Sequence, residues 1–491
     1  MSKKITIIGS GFSGLSASCY LAKQGFEVTV LEKHDRVGGR ARQFEKEGFT
    51  FDMGPSWYWM PDIFEAFFAD FGKKVSDYYE LERLSPSYRV FYKDGPLDIP
   101  ADPEELYAMF ERIETGSAGK LKQFLKEAEY KYEVGMHDLV YRPGISITEF
   151  MDARFLKGLF KLDVLTSMSK HIRKSFSHPK LIQLLEFPVL FLGALPQDTP
   201  ALYSLMNYAD MVGGTWYPKG GMVKIVDAMH SLALELGVKF IFNADVSKIT
   251  VEDKKASVLK TDTEFKGFDA LVSSADYRFT DKVLLDDAYS NYSESYWDKR
   301  KMAPSSLIFY LGVNKVIKGL LHHNLFFDED FDVHAQEIYT TPQWPSKPLF
   351  YVSCPSKTDP HVAPAGKENL FILIPIAPGL KDDPQTNDRY FDKVISRIEA
   401  FTGVPFKEEI IYRRDFATSD FISEYNSFKG NAYGLANTLS QTAILKPALK
   451  NKNVKNLFYT GQLTVPGPGV PPSLISGKLV AEQVKRYLSG Q

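Results

Sequence analysis

Three glycines and one glutamate near the start of the chain have the types and spacing that phosphate and ribose binding require. Gly9, Gly11 and Gly14 form a G-x-G-x-x-G loop, and Glu32 follows Gly14 by 18 residues. In such a loop the first glycine permits a tight turn, the second lets the backbone approach a pyrophosphate, and the third allows close helix packing. A carboxylate at that distance accepts hydrogen bonds from both ribose hydroxyls and disfavours a 2′-phosphate. The pattern therefore predicts a dinucleotide site and disfavours NADP.

These residues fall where a strand–loop–helix–strand unit would present them. Residues 5–8 form an apolar, β-branched run that is typical of a buried parallel strand. Residues 15–24 have helical character and precede Gly25, and residues 27–31 indicate a second strand that ends at Glu32. The start of that helix would direct free N–H groups and a partial positive charge at phosphates. The whole context favours a dinucleotide site over a glycine turn in an unrelated unit.

A second glycine pair follows the acid. Gly38 and Gly39 lie among Arg36, Arg40 and Arg42. NAD binding does not require a second glycine pair this close to the ribose-binding acid. A solvated basic turn is the alternative interpretation.

Later segments have clear periodicity but no visible boundary between domains. Residues 223–236 have helical spacing and end at Gly237, and residues 238–242, 246–251 and 256–260 alternate as strands do. At the far end, residues 456–459 indicate a short strand, a loop rich in proline and glycine follows, and residues 473–488 have helical spacing. Pro471, Pro472 and Ser473 are favourable residues for a helix start. A plain docking helix is the alternative for this last segment.

Composition excludes several classes of protein. Lys and Arg number 59 and Asp and Glu 61, and the net charge of −2 over 491 residues gives no support for nucleic-acid binding. Cys19 and Cys354 are the two cysteines, which excludes a disulfide scaffold and favours a reducing compartment. The nine histidines have no metal-ligand spacing, so no metal is expected. No apolar run reaches the roughly 18 residues of a membrane span, and the N-terminus lacks a signal-peptide core, so we expect a cytoplasmic protein.

The two ends of the chain together resemble the bacterial-type phytoene and carotenoid desaturases, which belong to the FAD-dependent, amine-oxidase-like superfamily. The last flavin-binding segment of that family is matched at Gly461, Thr464, Pro466, Gly467, Gly469 and Pro471. The resemblance continues through residues 36–42, 51–56, 216–222 and 272–276. Leu463 and Pro472 stand where the family usually has glycine.

The resemblance implies an α/β fold with a discontinuous Rossmann-like FAD-binding domain, a mixed-sheet substrate domain and a helical, membrane-facing block. We expect the FAD-binding domain to comprise residues 1–85, 215–295 and 425–491. We expect the substrate domain to comprise residues 86–214 and 296–424, with the helical block at about 100–210.

The implied cofactor is one FAD, held non-covalently because neither flavin-facing loop contains a cysteine or histidine. The helix that begins near Pro472 would stabilise the negative charge of the reduced flavin with its N-terminus. The residues expected to contact FAD are Gly9, Gly11, Phe12, Ser13, Gly14, Glu32, Lys33, Gly38, Gly39, Arg40, Gly54, Pro55, Ser56, Val246, Gly461, Gly469, Val470, Pro471 and Pro472.

The implied substrate is an apolar C40 polyene, most simply phytoene, into which conjugated double bonds are introduced. Aromatic residues make up 14% of the chain and can supply apolar walls. Residues 57–60, with Phe64, Phe67, Phe68 and Phe71, form either a core face or such a wall. An acid and an arginine near the flavin have been discussed for the family, which suggests Asp152 and Arg154 as the catalytic pair. Oxygen or a quinone would reoxidise the flavin.

A basic segment near residues 150–195 suggests contact with a membrane surface. Phe155, Leu159 and Leu162 share one helical face, and lysines lie outside that face. A basic amphipathic helix of this kind can lie in a membrane interface, and the alternative is an ordinary surface helix on a core. We therefore expect peripheral membrane attachment.

Four rival functions remain compatible with the sequence. Within the enzymes these are a hydroxycarotenoid 3,4-desaturase, a carotenoid isomerase of the same fold and a flavin amine oxidase. From another class, the chain could be a flavin-binding protein that holds a lipid or a partner without turnover.

Overall fold

The computed structural model describes residues 2–146, 149, 162–164 and 166–490, and for residues 190–192 and 439 it describes the backbone alone. The strands are β1 (Lys4–Ile8), β2 (Glu27–Leu31), β3 (Gln43–Lys46), β4 (Phe49–Asp52), β5 (Leu81–Arg83), β6 (Tyr88–Tyr92), β7 (Gly95–Ile99), β8 (Trp216–Pro218), β9 (Lys239–Ile241), β10 (Lys248–Glu252), β11 (Lys255–Lys260), β12 (Glu264–Lys266), β13 (Ala270–Ser273), β14 (Ser305–Val313), β15 (His323–Phe326), β16 (Phe350–Ser353), β17 (Glu368–Ile376), β18 (Ile410–Phe416) and β19 (Leu457–Tyr459). The α-helices are α1 (Phe12–Lys23), α2 (Pro61–Ala69), α3 (Pro103–Ile113), α4 (Ser117–His137), α5 (Met168–Arg173), α6 (Pro179–Glu186), α7 (Leu205–Met211), α8 (Val223–Glu235), α9 (Tyr277–Phe279), α10 (Glu294–Asp298), α11 (Phe331–Tyr339), α12 (Pro384–Thr402), α13 (Thr418–Tyr425) and α14 (Val470–Ser489).

A five-stranded parallel sheet carries the N-terminal glycine loop. Its strand order is β19–β13–β1–β2–β9, with β1 in the centre between β13 and β2. Ile5, Ile7 and Ile8 of β1 are all buried because both faces of a parallel sheet are covered. The predicted strands at residues 5–8 and 27–31 are therefore present as β1 and β2, joined through α1.

Two helices from opposite ends of the chain cross at very short distance on this sheet. A Cβ atom placed on Gly477 of α14 would lie 2.5 Å from the Cβ of Ser16 and 2.7 Å from the backbone nitrogen of Ala17 in α1. The Ser16 hydroxyl donates a hydrogen bond of 2.6 Å to the carbonyl of Leu474. Because only hydrogen fits at Gly477, the helices bring the N-terminal and C-terminal segments together.

A seven-stranded mixed sheet forms the second layer. Its order is β18–β14–β17–β16–β15–β6–β7, and β15 pairs with β6 in parallel whereas its other pairs are antiparallel. Successive side chains of the central strand β14 point to opposite faces of the sheet. Leu307, Phe309 and Leu311 pack in the core beside α12. Ile308 and Tyr310 point to the opposite face, which belongs to a separate core.

A group of helices between residues 103 and 211 covers that opposite face. Helices α3 to α7 lie in this range, which overlaps the helical block expected at about 100–210. Among the described residues, no helix is both long enough and apolar enough to cross a membrane. Residues 150–161, on which much of the membrane prediction depends, lie outside the described residues.

The two sheets are built from interleaved stretches of chain. The strands of the parallel sheet come from residues 4–31, 239–273 and 457–459, and those of the mixed sheet come from residues 88–99 and 305–416. This arrangement agrees with a discontinuous fold, and the limits of the two domains given above stay a prediction.

Candidate functional site

The first glycine loop leaves the N-terminus of α1 open. Gly9 has a φ of 89° and its N–H donates to the carbonyl of Leu31, which turns the chain out of β1. A Cβ atom on Gly14 would lie 2.1 Å from the carbonyl oxygen of Gly9, so no side chain fits there. A Cβ atom on Gly11 would meet nothing within 4 Å, and no side chain caps the helix that follows. The first N–H groups of α1 therefore face open space, as an anion site requires.

The second glycine pair lies directly against this loop. Gly38 donates its N–H to the carbonyl of Ser10 at 3.0 Å, and a Cβ atom on Gly39 would lie 3.3 Å from the Cα of Gly11. A Cβ atom on Gly54 would lie 2.6 Å from the carbonyl oxygen of Arg40. These approaches place the first loop, the second pair and the segment at Gly54 in one cradle.

Arg40 supplies a positive charge with spare hydrogen-bonding capacity in that cradle. Its terminal nitrogen donates to the Ser427 hydroxyl at 3.0 Å, and its guanidinium lies 4.9 Å from the ring centre of Tyr425. Its Nε is buried and has no hydrogen-bond partner among the described residues. Burial lowers the pKa of Arg40, an effect opposed by Tyr425 and Asp276. A buried guanidinium with an unused N–H is suited to an anionic ligand.

Glu32 lies at the carboxyl end of β2 and is almost completely buried. One carboxylate oxygen accepts from the backbone N–H and the hydroxyl of Ser10, and the other accepts from the N–H of His34. A carboxylate has about four acceptor positions, so one remains for a ribose hydroxyl. Val246 packs in the core near this strand end, and Lys33 donates to the carbonyl of Ser423 in α13.

The C-terminal segment completes the cradle from the other side. A Cβ atom on Gly461 would lie 3.1 Å from the hydroxyl oxygen of Ser13, at the first turn of α1. Gly469 has a φ of 112° and immediately precedes α14, whose first turn contains Pro471 and Pro472 and has no side-chain cap. Helix α14 begins at Val470, three residues before the predicted start, because apolar periodicity does not mark a first turn made of prolines.

One cavity of about 920 Å³ joins these segments to the mixed sheet and the helical block. The predicted FAD-contacting residues that line it are Phe12, Arg40, Gly54, Pro55, Ser56, Gly469, Val470, Pro471 and Pro472. The rest of the wall is mainly aromatic and aliphatic and includes Trp57, Trp59, Phe187, Ile308, Leu325 and Phe327. The remaining predicted contacts do not contribute to the described lining.

The aromatic cluster after Ser56 serves both of the roles that its sequence allowed. Trp57, Trp59, Met60 and Phe64 line the cavity. The other members of the cluster pack in the core of the parallel sheet, and these are Tyr58, Phe67, Phe68 and Phe71.

The predicted catalytic pair, Asp152 and Arg154, lies outside the described residues. Other polar groups at the cavity were not singled out from the sequence. Tyr351 lines the cavity and is hydrogen-bonded to the buried His323, and Lys446 is buried against Asn437, which also lines the cavity. The adjacent histidines at 322 and 323 follow an apolar run, but nothing in their spacing indicates this contact.

Comparison with known proteins identifies the family. The family model described as flavin containing amine oxidoreductase matches residues 12–485. A carotenoid 3,4-desaturase from Haloarcula japonica is 42% identical over 480 residues, which is 97% of each protein. A zeta-carotene-forming phytoene desaturase from Myxococcus xanthus is 32% identical over 501 residues, covering 100% of this chain and 95% of that protein.

Solved structures with low sequence identity share the fold. An oxidoreductase from Methanosarcina mazei has a TM-score of 0.62 at 17% identity and covers 98% of this chain and 100% of its own. A fatty acid isomerase from P. acnes has a TM-score of 0.58 at 17% identity, with coverage of 99% and 98%. The chain therefore belongs to the flavin containing amine oxidoreductase family, and within it to the carotenoid desaturases, and its cofactor is FAD.

Proposed function

We propose that this chain removes two hydrogens from neighbouring carbons of a carotenoid and so adds a conjugated double bond. The observation that carries the proposal is the cavity of about 920 Å³ that runs from the glycine cradle to apolar walls. A polyene has few polar groups along its length, so apolar walls would hold it and cavity depth would set the position of reaction. FAD supplies the redox chemistry by accepting one of the hydrogens as a hydride.

The cradle residues fit FAD. The open space at Gly11 and the free first turn of α1 would receive the pyrophosphate, and the unused N–H of Arg40 would donate to an anionic group of the cofactor. Glu32 would bind the ribose. The N-terminus of α14 at Val470 would face the flavin and favour its reduced, negatively charged form.

The position of the new double bond is proposed from the relatives. The carotenoid 3,4-desaturase from Haloarcula japonica is 42% identical to this chain, and the phytoene desaturase from Myxococcus xanthus is 32% identical. This difference favours 3,4-desaturation near one end of a carotenoid over the desaturation of phytoene, which is the simpler expectation from motifs alone.

The experiment mixes FAD-loaded protein with liposomes that contain either phytoene or an acyclic hydroxycarotenoid. We expect the hydroxycarotenoid to give a product that absorbs at longer wavelength, with oxygen or an added quinone sustaining turnover. Preferential conversion of phytoene would reverse the choice of substrate. Conversion of a primary amine with both carotenoids recovered unchanged would contradict the proposal itself.

We also propose that the protein attaches peripherally to a membrane at the mouth of the cavity. Ile444 and Leu445 line the cavity and are 38% and 49% exposed, and Ile145 is 63% exposed. Gly144 lies against Ala443, so these apolar side chains belong to neighbouring loops. Exposed apolar groups beside an apolar cavity would enter the acyl boundary and admit a lipid-soluble substrate.

Liposome flotation tests this attachment. We expect the double variant Ile444→Ser, Leu445→Ser to float markedly less than the wild type because it loses buried apolar area at the interface. Val316→Ser, Ile411→Ser is the matched control, since those side chains are 45% and 47% exposed but do not line the cavity. Equal flotation of both double variants would exclude Ile444 and Leu445 as the attachment site.

A further inference from the structure

A histidine and a tyrosine form a hydrogen-bonded pair in the apolar wall of the cavity. The hydroxyl of Tyr351 lies 2.6 Å from Nδ1 of His323, and both side chains are buried. Tyr351 lines the cavity on β16, and His323 lies behind it at the start of β15, where β15 and β16 pair antiparallel with His323 opposite Ser353. The sheet therefore fixes both partners of the hydrogen bond.

The surroundings of His323 hold its ring rigidly and keep it neutral. Its ring is stacked on that of Trp57 with 4.1 Å between centroids and 11° between planes. Burial, reinforced by the neighbouring His322, keeps the pKa of His323 well below its usual value. Its Nε2 is buried and has no hydrogen-bond partner among the described residues. A neutral ring with its proton on Nε2 has a free lone pair at Nδ1, where it can accept the tyrosine proton.

The pair lies beside the segment expected to contact FAD. The Tyr351 hydroxyl is close to that of Ser56, and the Trp57 ring lies 5.5 Å from the Tyr351 ring. Ser56 and Trp57 line the same cavity as Tyr351. A carbon chain bound in this cavity would therefore lie in the same space as this hydroxyl.

We propose that Tyr351 is the catalytic group that accepts the proton lost from the carotenoid, and that His323 is the positioning residue that takes up the tyrosine proton. The inference rests on the proposed desaturation, because that reaction produces one proton for each hydride removed. It adds an acid–base pair to a cavity whose walls are otherwise mainly apolar.

The atoms and electrons of the step balance. Two neighbouring carbons would each lose a hydrogen, one of them as a hydride that carries both electrons of its C–H bond and that bound FAD would accept. The second C–H bond breaks, its electron pair forms the new C=C bond, and its proton moves to the Tyr351 oxygen. The original hydroxyl proton of Tyr351 moves to Nδ1 of His323, which becomes an imidazolium. Loss of the hydride leaves a carbocation, and a C–H bond next to a carbocation is strongly acidic. A weak base therefore suffices to remove the proton.

A second histidine and a buried carboxyl lie near His323. The ring of His322 lies 4.4 Å from that of His323, and its Nδ1 is hydrogen-bonded to the Thr358 hydroxyl. His322 lines a small pocket of about 20 Å³ together with Asp52 and Ser56, a volume near that of one water molecule. Burial raises the pKa of Asp52 to about 6, so this carboxyl can exchange a proton near neutral pH.

Two variants test the pair by anaerobic stopped-flow flavin reduction with carotenoid liposomes. We expect Tyr351→Phe to slow reduction by about 100-fold, the lower end of a general base contribution. His323→Asn keeps an amide in reach of the tyrosine but cannot take its proton, so we expect a similar loss. Both variants should lose the solvent deuterium isotope effect of the wild type. Tyr339→Phe removes another hydroxyl from the same wall and should keep that isotope effect.

A measurement without substrate supports the assignment independently. In the FAD-loaded protein, ¹⁵N NMR of labelled histidine should show neutral His323 protonated at Nε2, and Tyr351→Phe should shift the Nδ1 signal. Wild-type reduction rates and isotope effects in both variants would overturn the role of the pair while leaving desaturation intact. A wild-type flavin that no carotenoid reduces would instead refute the proposed function.

Discussion

At the scale of single residues, a side chain at Gly11 should be compatible with the fold but should block FAD binding. Nothing lies within 4 Å of a Cβ atom at Gly11, so Gly11→Val should fold but fill the space in front of α1. We expect this variant to be purified without FAD, as judged by flavin absorbance. Gly119→Val is the control, because Gly119 is also free of neighbours but lies in α4. A yellow, FAD-loaded Gly11→Val protein would contradict the assignment.

Lys446 should make stability depend on pH. Burial lowers its pKa to about 7, and its ammonium donates to Asn437. Above pH 7 the unfolded chain still binds the proton that the folded chain has released, so the free energy of unfolding should rise with pH, by up to about 1.4 kcal/mol per unit. We expect Lys446→Met to flatten this rise between pH 7 and 9 in denaturant titrations. Lys318→Met, at an exposed lysine, should keep the wild-type slope.

Asp152 stays a predicted catalytic residue, and the tyrosine–histidine pair limits what its loss should do. We expect Asp152→Asn to slow turnover only modestly, since hydride removal can lead and Tyr351 can accept the proton. Single-turnover flavin reduction measures this. A loss far larger than that of Tyr351→Phe would assign the proton to Asp152 instead.

Sequence reasoning singled out the glycine segments that meet in the cradle, but it did not find the polar pair in the cavity. Gly9, Gly14 and Gly39 could be predicted because a positive φ at Gly9 and close backbone approaches at Gly14 and Gly39 favour glycine, and these requirements leave a fixed spacing in the sequence. His323 and Tyr351 are 28 residues apart, and only the pairing of β15 with β16 brings them together. Contacts that depend on the register of paired strands leave no local pattern in the sequence from which they could be predicted.

At the scale of elements, the crossing of α1 and α14 should decide whether the two ends of the cradle meet. We expect Gly477→Ala to push the helices apart, since its Cβ would lie 2.5 Å from the Cβ of Ser16, and to cost about 1–3 kcal/mol and some FAD retention. Thermal unfolding with flavin release measures both effects. Gly119→Ala, in an open position of α4, should instead be neutral or stabilising. Equal effects of the two substitutions would argue against the crossing as the organising contact.

The elements themselves were predictable to different degrees. Strands β1 and β2 and helix α8 follow the expected ranges closely, because apolar periodicity marks buried faces well. The seven strands of the mixed sheet were not assigned individually. They are scattered from residue 88 to residue 416, and β14 pairs with strands about 60 and 100 residues away. Pairing over such distances depends on the whole fold.

At the scale of the molecule, the two sheets and the helical block line one cavity, which we propose holds cofactor and substrate together. The parallel sheet positions the cradle through β1 and α1. The mixed sheet contributes apolar residues such as Ile308 and Leu325 to the cavity wall. A cavity shared in this way would keep a long apolar molecule in contact with the flavin. The assembly therefore explains the link between FAD binding and carotenoid chemistry better than any single motif does.

The most direct test of the central claim is the absorbance of the bound flavin when FAD-loaded protein meets a carotenoid without oxygen. The account predicts that acyclic carotenoid in liposomes bleaches the flavin near 450 nm on the order of once per chain while product absorbance at longer wavelength appears in equal amount. It also predicts that a primary amine leaves the flavin oxidised. A flavin that stays oxidised with every carotenoid but is bleached by the amine would contradict it.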